Sequence, residues 1–433
     1  MNNHKLRQPR ARVGWGGPSP SRSVHKALSR AVFEIVDMEA ATVNASADVF
    51  VIDVRSVDKP VAVARERLVQ SRRLGPISGI LVYVSRNESS ANRLGLAKMG
   101  EVVFENEDHT SLIFALRDRL RLGALAEETG ERIKSLSGSA AVTAFPDLAA
   151  PTNSLSILIA GAPSPAALAA ANTLSKNGFK TPSVFSAGHA MRTIEAEPID
   201  GALFFPEDEN DVLLALARAL KRHRNFRKTP IIVCAPKLNV TKKWFQGEAF
   251  DLIYTEHLDT NLTAQIGRLT RRARLSSVMA SFLAGCDGVN IRDRKSGAYA
   301  ASFFSYHGAR LHRRSLEAGY PLSMVGIGFS DDCEITRHER LLKDAVRTIK
   351  RITRSQDLVV RLSNNRLAIL LPGATIIDAA SIENRVLGVL SASLRTKSKL
   401  TGAVAAREDN LEETVASLIK NLQQSPAYDQ NIQ

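Results

Sequence analysis

The sequence predicts an α/β protein of several domains, and two observations carry that prediction. In two segments of the chain, β-branched runs of strand length alternate with stretches of helical period. Such alternation implies βαβ units and parallel sheets. The 433 residues, 44% hydrophobic and 24% charged, have ordinary globular composition and suffice for two to four domains. A basic helix after residue 259 leads into a third unit.

The positions of the strand-like runs predict where the domains lie. Those of the first segment lie at residues 47–54 (ADVFVIDV), 79–85 (GILVYVS) and 100–108 (GEVVFENED). Those of the second lie at 154–165, 199–208, 229–237 and 250–259. A charged helix followed by a Ser/Ala/Pro-rich stretch separates the two segments and is a linker by composition. We therefore predict a basic tail (1–11), a first domain (12–121), a linker (122–151), a second domain (152–275), a third domain (276–425) and a polar tail (426–433).

Composition and charge argue against several classes of function. The net charge of +14 would suit an anionic partner, but there is no concentrated basic run and only 6% of residues are aromatic. Nucleic-acid binding is therefore not indicated. No apolar run approaches the roughly 18 residues that span a bilayer, and the N-terminal residues lack the apolar region of a signal peptide. The three cysteines have no metal-ligand spacing. We expect a reduced, cytoplasmic protein without a membrane span.

The first two segments resemble the receiver domains of two-component response regulators, which implies flavodoxin-like, doubly wound sheets of order 2-1-3-4-5. A working receiver holds Mg²⁺ with an acidic pair and phosphorylates an Asp at the end of strand 3. In the first segment Asp53 falls on the phosphoacceptor position and Ser85 on the hydroxyl position. Gly16 and Gly17 replace the acidic pair, and Glu105 replaces the lysine. Asp53 is thus either a phosphoacceptor or a leftover strand-end residue.

The second segment departs further from a working receiver. Gly161 and Ala162 replace the acidic pair, and Phe204 or Phe205 replaces the phosphoacceptor. We expect an interaction or dimerisation domain that carries out no phosphoryl chemistry.

The third segment resembles the GGDEF family of diguanylate cyclases, which implies a nucleotidyl-cyclase-like α+β fold. Three stretches carry the resemblance: DRKSGAYAASFF (293–304), PLSMVGIGFS (321–330) and RLSNNRLAILLP (361–372). The departures fall on the family's metal and signature positions. The substituted positions are Gly328, Ser330, Ser363, Asn364, Asn365, Arg366 and Leu367. Because the carboxylates that would hold Mg²⁺ are lost, the sequence predicts no cyclase activity, no metal and no cofactor.

The resemblance also implies a second site, the inhibitory product site of active family members. Its RxxD motif matches Arg354 to Asp357, and five residues (358–362) separate it from the hairpin turn, as in the family. Two further family arginines fall on Arg385 and Arg314. The ligand implied is cyclic di-GMP, whose guanines and phosphates suit arginine forks and a carboxylate. The alternative is a solvated surface pair, which contributes about 0–1 kcal/mol.

The order receiver, receiver, GGDEF resembles PleD/PopA-type response regulators. The resemblance implies a catalytically inactive protein that binds cyclic di-GMP at its RxxD site and signals by contacts with protein partners, as a homodimer. Two alternatives stay open: a residual diguanylate cyclase, and a scaffold that binds no nucleotide.

Overall fold

The structure is a computed structural model, and it divides the chain into two compact units. One contains Ala11–Gly123 and Asp147–Val278, and the other contains Ala124–Pro146 and Met279–Gln433. The residues that the structure describes are 11–31, 33–37, 47–71, 79–85, 89, 92, 95–96, 99–105, 109–136, 155–208, 210–222, 226, 229–236, 251–255, 258, 261–286, 291–318, 320–329, 335–393 and 400–426.

The first unit holds two parallel sheets of five strands each. The first sheet has the order β2-β1-β3-β4-β5 and the second the order β10-β9-β8-β6-β7, so both follow the predicted 2-1-3-4-5 arrangement. Their strands are β1 (Ala11–Gly16), β2 (Phe33–Asp37), β3 (Val49–Asp53), β4 (Ile80–Val84), β5 (Glu101–Phe104), β6 (Ile157–Gly161), β7 (Ser183–Val184), β8 (Gly201–Phe205), β9 (Ile231–Ala235) and β10 (Asp251–Tyr254).

Helices cover both faces of these sheets, which is why the central strands consist mostly of apolar residues. Strands β3, β6, β8 and β9 are buried along their whole length. The helices are α1 (Arg22–Arg30), α2 (Pro60–Ser71), α3 (Thr110–Leu136), α4 (Pro165–Lys176), α5 (Ala187–Ala196), α6 (Val212–Arg222) and α7 (Asn261–Gly285). Helix α7 is the basic helix expected after residue 259.

The second unit is built on an antiparallel sheet of order β12-β13-β11-β14. Its strands are β11 (Leu322–Phe329), β12 (Leu358–Arg361), β13 (Arg366–Pro372) and β14 (Leu400–Ala406), and its helices are α8 (Ala301–Ala318), α9 (Ile335–Ile352), α10 (Ile376–Ser393) and α11 (Leu411–Gln424). Alternate residues of β13 enter different cores: Leu367, Ile369 and Leu371 lie on one face, and Ala368 and Leu370 on the other. Both faces of this sheet are therefore buried.

The stretch interpreted as a linker is in part an ordered helix. Helix α3 runs without interruption from Thr110 to Leu136, and its segment from residue 124 onward belongs to the second unit. Leu136 packs in one of the two cores of the antiparallel sheet. Residues 137–151 of the predicted linker lie outside the described residues. None of the described helices carries an apolar window long enough to cross a bilayer.

Candidate ligand site and neighbouring hairpin

The RxxD motif forms the turn that joins α9 to β12. The backbone N–H of Arg354 donates to Oδ2 of Asp357 at 2.7 Å, and the N–H of Asp357 donates to the Arg354 carbonyl at 3.1 Å. Only 7% of Asp357 is exposed. Its second oxygen, Oδ1, is buried and has no hydrogen-bond partner among the described residues. One half of the carboxylate therefore closes the turn, and the other half remains able to accept a hydrogen bond.

The charge state of Asp357 reflects this position. Burial raises the pKa of Asp357 to about 7, although the Arg354 N–H and the positive charges of Arg354 and Arg385 oppose the shift. The buried Glu128 adds to the rise. An unpaired buried carboxylate favours a proton, and a donor that hydrogen-bonds to the anion would reverse that preference.

Arg385 reaches the same turn from α10. Its guanidinium donates to the carbonyl of Ile352, the last residue of α9, at 3.2 Å, and its charge acts on Asp357. The structure thus brings together three of the four predicted ligand residues. A purely structural role accounts for part of this arrangement, because a cation at a helix C-terminus is favourable by itself. It does not account for the unpaired Oδ1.

Arg314 lies elsewhere, on α8. Its Nε donates to Glu127 of α3 at 2.8 Å, and its guanidinium lies 3.9 Å from Glu317. It lines a charged cleft of about 460 Å³ between α8 and the segment of α3 in the same unit. Its assignment to the ligand site remains a prediction from the resemblance.

The hairpin between β12 and β13 is held by Arg361. This side chain donates to the Ser363 carbonyl at 3.2 Å, to Asn364 Oδ1 at 3.1 Å and to Asp293 Oδ2 at 2.9 Å. Burial works against ionisation of Asp293, but hydrogen bonds from Ser296 and Arg361 outweigh it and hold the pKa of Asp293 below its ordinary value. Oδ2 of Asp293 therefore braces the hairpin through Arg361 and also accepts from Ser296, a role for Arg361 that the sequence did not reveal.

The predicted metal positions carry no carboxylate in the structure. Gly328 on β11 lies directly opposite Arg366 on β13, so a cation projects from the neighbouring strand at that level. A Cβ atom on Gly328 would collide with Oγ1 of Thr401 on β14. Ser330 lies outside the described residues. Across the described ranges, no group of three or more His, Cys, Asp or Glu side chains could hold a metal ion.

The predicted phosphoacceptor lies where the strand assignment puts it, at the end of β3, and 3% of Asp53 is exposed. Arg55 occupies both of its oxygens, with Nε 2.9 Å from Oδ1 and Nη2 2.7 Å from Oδ2. The same guanidinium binds Glu105 and stacks 4.4 Å above the Tyr83 ring. Burial disfavours the cation, but these two carboxylates outweigh it and raise the pKa of Arg55.

Arg55 is thus an internal cation in the first domain's pocket, and sequence reasoning missed it. At the equivalent strand ends of the second sheet, Gly161 ends β6 and Phe205 ends β8, and Phe204 and Phe205 are both buried. The expectation that this domain holds no phosphoacceptor remains a prediction from the sequence.

Comparison with solved structures finds GGDEF domains over about 30% of the chain. A DGC protein from Thermotoga maritima is 20% identical and covers 30% of this chain and 99% of its own, with a TM-score of 0.26. The FimX GGDEF domain from Pseudomonas aeruginosa is 16% identical and covers 32% and 94%, with a TM-score of 0.30. The GGDEF domain of DgcB from Caulobacter crescentus, solved with c-di-GMP, is 10% identical and covers 32% and 88%, with a TM-score of 0.29. No protein-family model matches the chain, and no curated protein sequence matches it.

Proposed function

We propose that this chain is a catalytically inactive GGDEF-type protein that binds cyclic di-GMP and acts through protein contacts. The observation that supports the ligand is the buried, unpaired Oδ1 of Asp357 beside Arg354 and Arg385. The carboxylate can accept from guanine N1 and N2, whereas the exposed arginines can fork onto guanine O6 and N7 or onto phosphate. The ligand would supply the hydrogen-bond donors that Oδ1 of Asp357 does not find among the described residues.

The loss of catalysis is proposed from the hairpin. Joining two GTP molecules requires metal ions held by carboxylates next to the reacting phosphates. At that level the chain has Gly328 on one strand and Arg366 on the other. A cation between the strands repels Mg²⁺, so we expect no diguanylate cyclase activity and no bound magnesium.

The wider role remains an inference from domain order. Two receiver-type domains before a non-catalytic GGDEF domain suit the PopA branch of the PleD/PopA-type regulators, in which the chain would be a homodimeric cytoplasmic adaptor. The parallel 2-1-3-4-5 sheets support the receiver assignment. Asp53 does not contribute a phosphorylation switch in this proposal, because Arg55 occupies its carboxylate.

Isothermal titration with cyclic di-GMP tests the proposal. The unmutated protein should bind, and Arg354→Ala should weaken binding by about tenfold or more. The matched control is Arg347→Ala, which removes an exposed arginine of α9 that pairs along its own helix with Asp344. Absence of heat from the unmutated protein would favour the nucleotide-independent scaffold and reject the proposal.

A second assay addresses catalysis. The protein is incubated with GTP and Mg²⁺, and the products are separated by chromatography. We expect no cyclic di-GMP above the level of a protein-free control. Turnover that depends on this chain would establish the residual cyclase and reject the inactive assignment.

A further inference from the structure

Residues 124–136 of α3 contribute charged side chains to a buried network in the second unit. Arg132 is 0% exposed, Glu128 2% and His307 of α8 0%. The Arg132 guanidinium binds Glu128 and donates to the Tyr299 hydroxyl at 2.5 Å. His307 Nε2 lies 3.0 Å from Glu128, and its Nδ1 lies 2.8 Å from the Ser135 hydroxyl. A sequence that reads as a solvated linker helix is therefore part of this unit's interior.

A rim of ion pairs surrounds the buried layer. Glu127 accepts from Arg314 at 2.8 Å, and Glu131 accepts from Arg310 at 2.8 Å. Truncating one partner of a buried pair leaves an uncompensated charge, whereas exposed pairs contribute little. Docking of segment 124–136 therefore depends mainly on the buried layer rather than on the rim.

The buried layer is linked to the candidate ligand site through Tyr299. The Tyr299 N–H donates to the Val359 carbonyl at 2.8 Å, and the Arg361 N–H donates to the Tyr299 carbonyl at 3.2 Å. Both partners belong to β12, which begins at the residue after Asp357. Arg132 thus holds the side chain of a residue whose backbone is paired with the strand that starts at the ligand turn.

The buried layer and the candidate ligand site are also coupled by the charges of Glu128 and Asp357. Glu128 carries a negative charge, because Arg132 and His307 outweigh the effect of burial and lower the pKa of Glu128. That anion disfavours a second anion at Asp357. Glu128 also retains a buried oxygen, Oε2, with no partner in the described part of the chain. Removing the charge of Asp357 therefore relieves a repulsion directed at segment 124–136, whereas a ligand that holds Asp357 as an anion maintains that repulsion.

We propose that segment 124–136 is a regulatory element of the Arg354, Asp357 and Arg385 site. Cyclic di-GMP at the site holds Asp357 as the anion that Glu128 opposes, so ligand binding weakens the docking of the segment, and docking in turn lowers the affinity of the site. The two effects are equal in free energy because linkage is reciprocal. The ligand half of this statement rests on the proposed function, but the coupling between Asp357 and the segment does not.

Hydrogen exchange of the full chain without ligand tests that coupling. Asp357→Asn keeps an oxygen for the Arg354 N–H and removes the charge that Glu128 opposes. At pH 8 the variant should slow the exchange of amides in residues 124–136 by about fivefold or more, as a protection factor. At pH 6 the difference should shrink, because Asp357 itself is then largely protonated. The charged groups on the two sides are Arg354, Arg385 and Glu128 around Asp357, and Arg132 and His307 around Glu128.

The control is Asp344→Asn, an exposed carboxylate of α9 that pairs with Arg347. It should leave exchange of the segment unchanged. If Asp357→Asn also leaves it unchanged at pH 8, the coupling does not exist and the inference is overturned.

The second arm adds cyclic di-GMP to the unmutated protein. Saturating ligand should speed the exchange of amides in residues 124–136, and binding that leaves the segment's exchange unaffected, or slows it, overturns the regulatory role. If the ligand does not bind at all, the proposed function fails, and the ligand-free comparison of Asp357→Asn still decides whether the segment and the turn are coupled.

Discussion

Asp53 and Asp357 are both buried aspartates in similar surroundings, but they differ in how many of their carboxylate oxygens are hydrogen-bonded. Each is buried, with 3% and 7% exposure, and each adjoins a strand end and arginine. Arg55 engages both oxygens of Asp53. The arginines near Asp357 are exposed, and its Oδ1 has no partner among the described residues. The fold therefore satisfies both oxygens of Asp53 with a cation of its own, whereas it leaves one oxygen of Asp357 without a hydrogen-bond partner among the described residues.

The largest expected effect comes from removing the internal counter-ion. Arg55→Met removes the cation that binds both Asp53 and Glu105, and should lower the free energy of unfolding by about 3 kcal/mol. Urea unfolding at pH 7 measures the loss of stability. The control variant is Arg22→Met, which makes the same substitution at an exposed position on α1. The double variant Asp53→Asn with Arg55→Met should recover most of the stability. Equal stability of Arg55→Met and Arg22→Met would show that Arg55 does not stabilise the pocket.

The next effect concerns the open carboxylate. Asp357→Asn should weaken cyclic di-GMP binding by about 2 kcal/mol, on the order of thirtyfold, because hydrogen bonds to charged groups contribute about 1.5–3 kcal/mol. Titration calorimetry measures the change, with Asp344→Asn as the matched exposed control. An affinity within twofold of the unmutated protein would remove Asp357 from the ligand site.

A smaller effect follows from the pH dependence of Asp357. Its pKa in the folded protein is raised to about 7, so the folded chain holds a proton that the unfolded chain releases. The stability of the ligand-free protein should therefore fall as pH rises toward 7, relative to Asp357→Asn. Ligand that binds the anion should bind about tenfold more tightly at pH 8 than at pH 6. Calorimetry at the two pH values checks this, and an unchanged affinity would contradict it.

The last prediction is that acetyl phosphate does not phosphorylate Asp53. Incubation with acetyl phosphate and Mg²⁺ should add no phosphoryl group to Asp53, because Arg55 occupies both oxygens and glycines replace the metal-binding acids. Intact-mass measurement reads the outcome, and Arg55→Met should also remain unlabelled for lack of a metal site. Labelling of the unmutated protein would show that the internal ion pair opens readily.

Much of the fold was predictable because it follows from local patterns. Buried parallel strands such as β8 are apolar throughout. The spacing of the RxxD motif from the hairpin predicted Arg354 and Asp357, and the family resemblance predicted Arg385 on the helix that follows the hairpin. The pairing of Arg55 with Glu105 was not predictable, since it joins residues 50 positions apart. Glu128 and Arg132 were missed for a related reason: an i, i+4 pair in a charged helix looks solvated until Tyr299 and His307 cover it.

The crowding at Gly328 bears on how this sequence can change over generations. A carboxylate there requires Thr401 to shrink or turn away, and Arg366 across the strand would neutralise the new acid rather than leave it for a metal. Each replacement made alone therefore brings a steric or electrostatic penalty before any metal is held. Acquiring a metal-binding strand pair would therefore require concerted replacements, and we expect substitutions to accumulate at the hairpin while the turn at Asp357 stays under its own, separate selection.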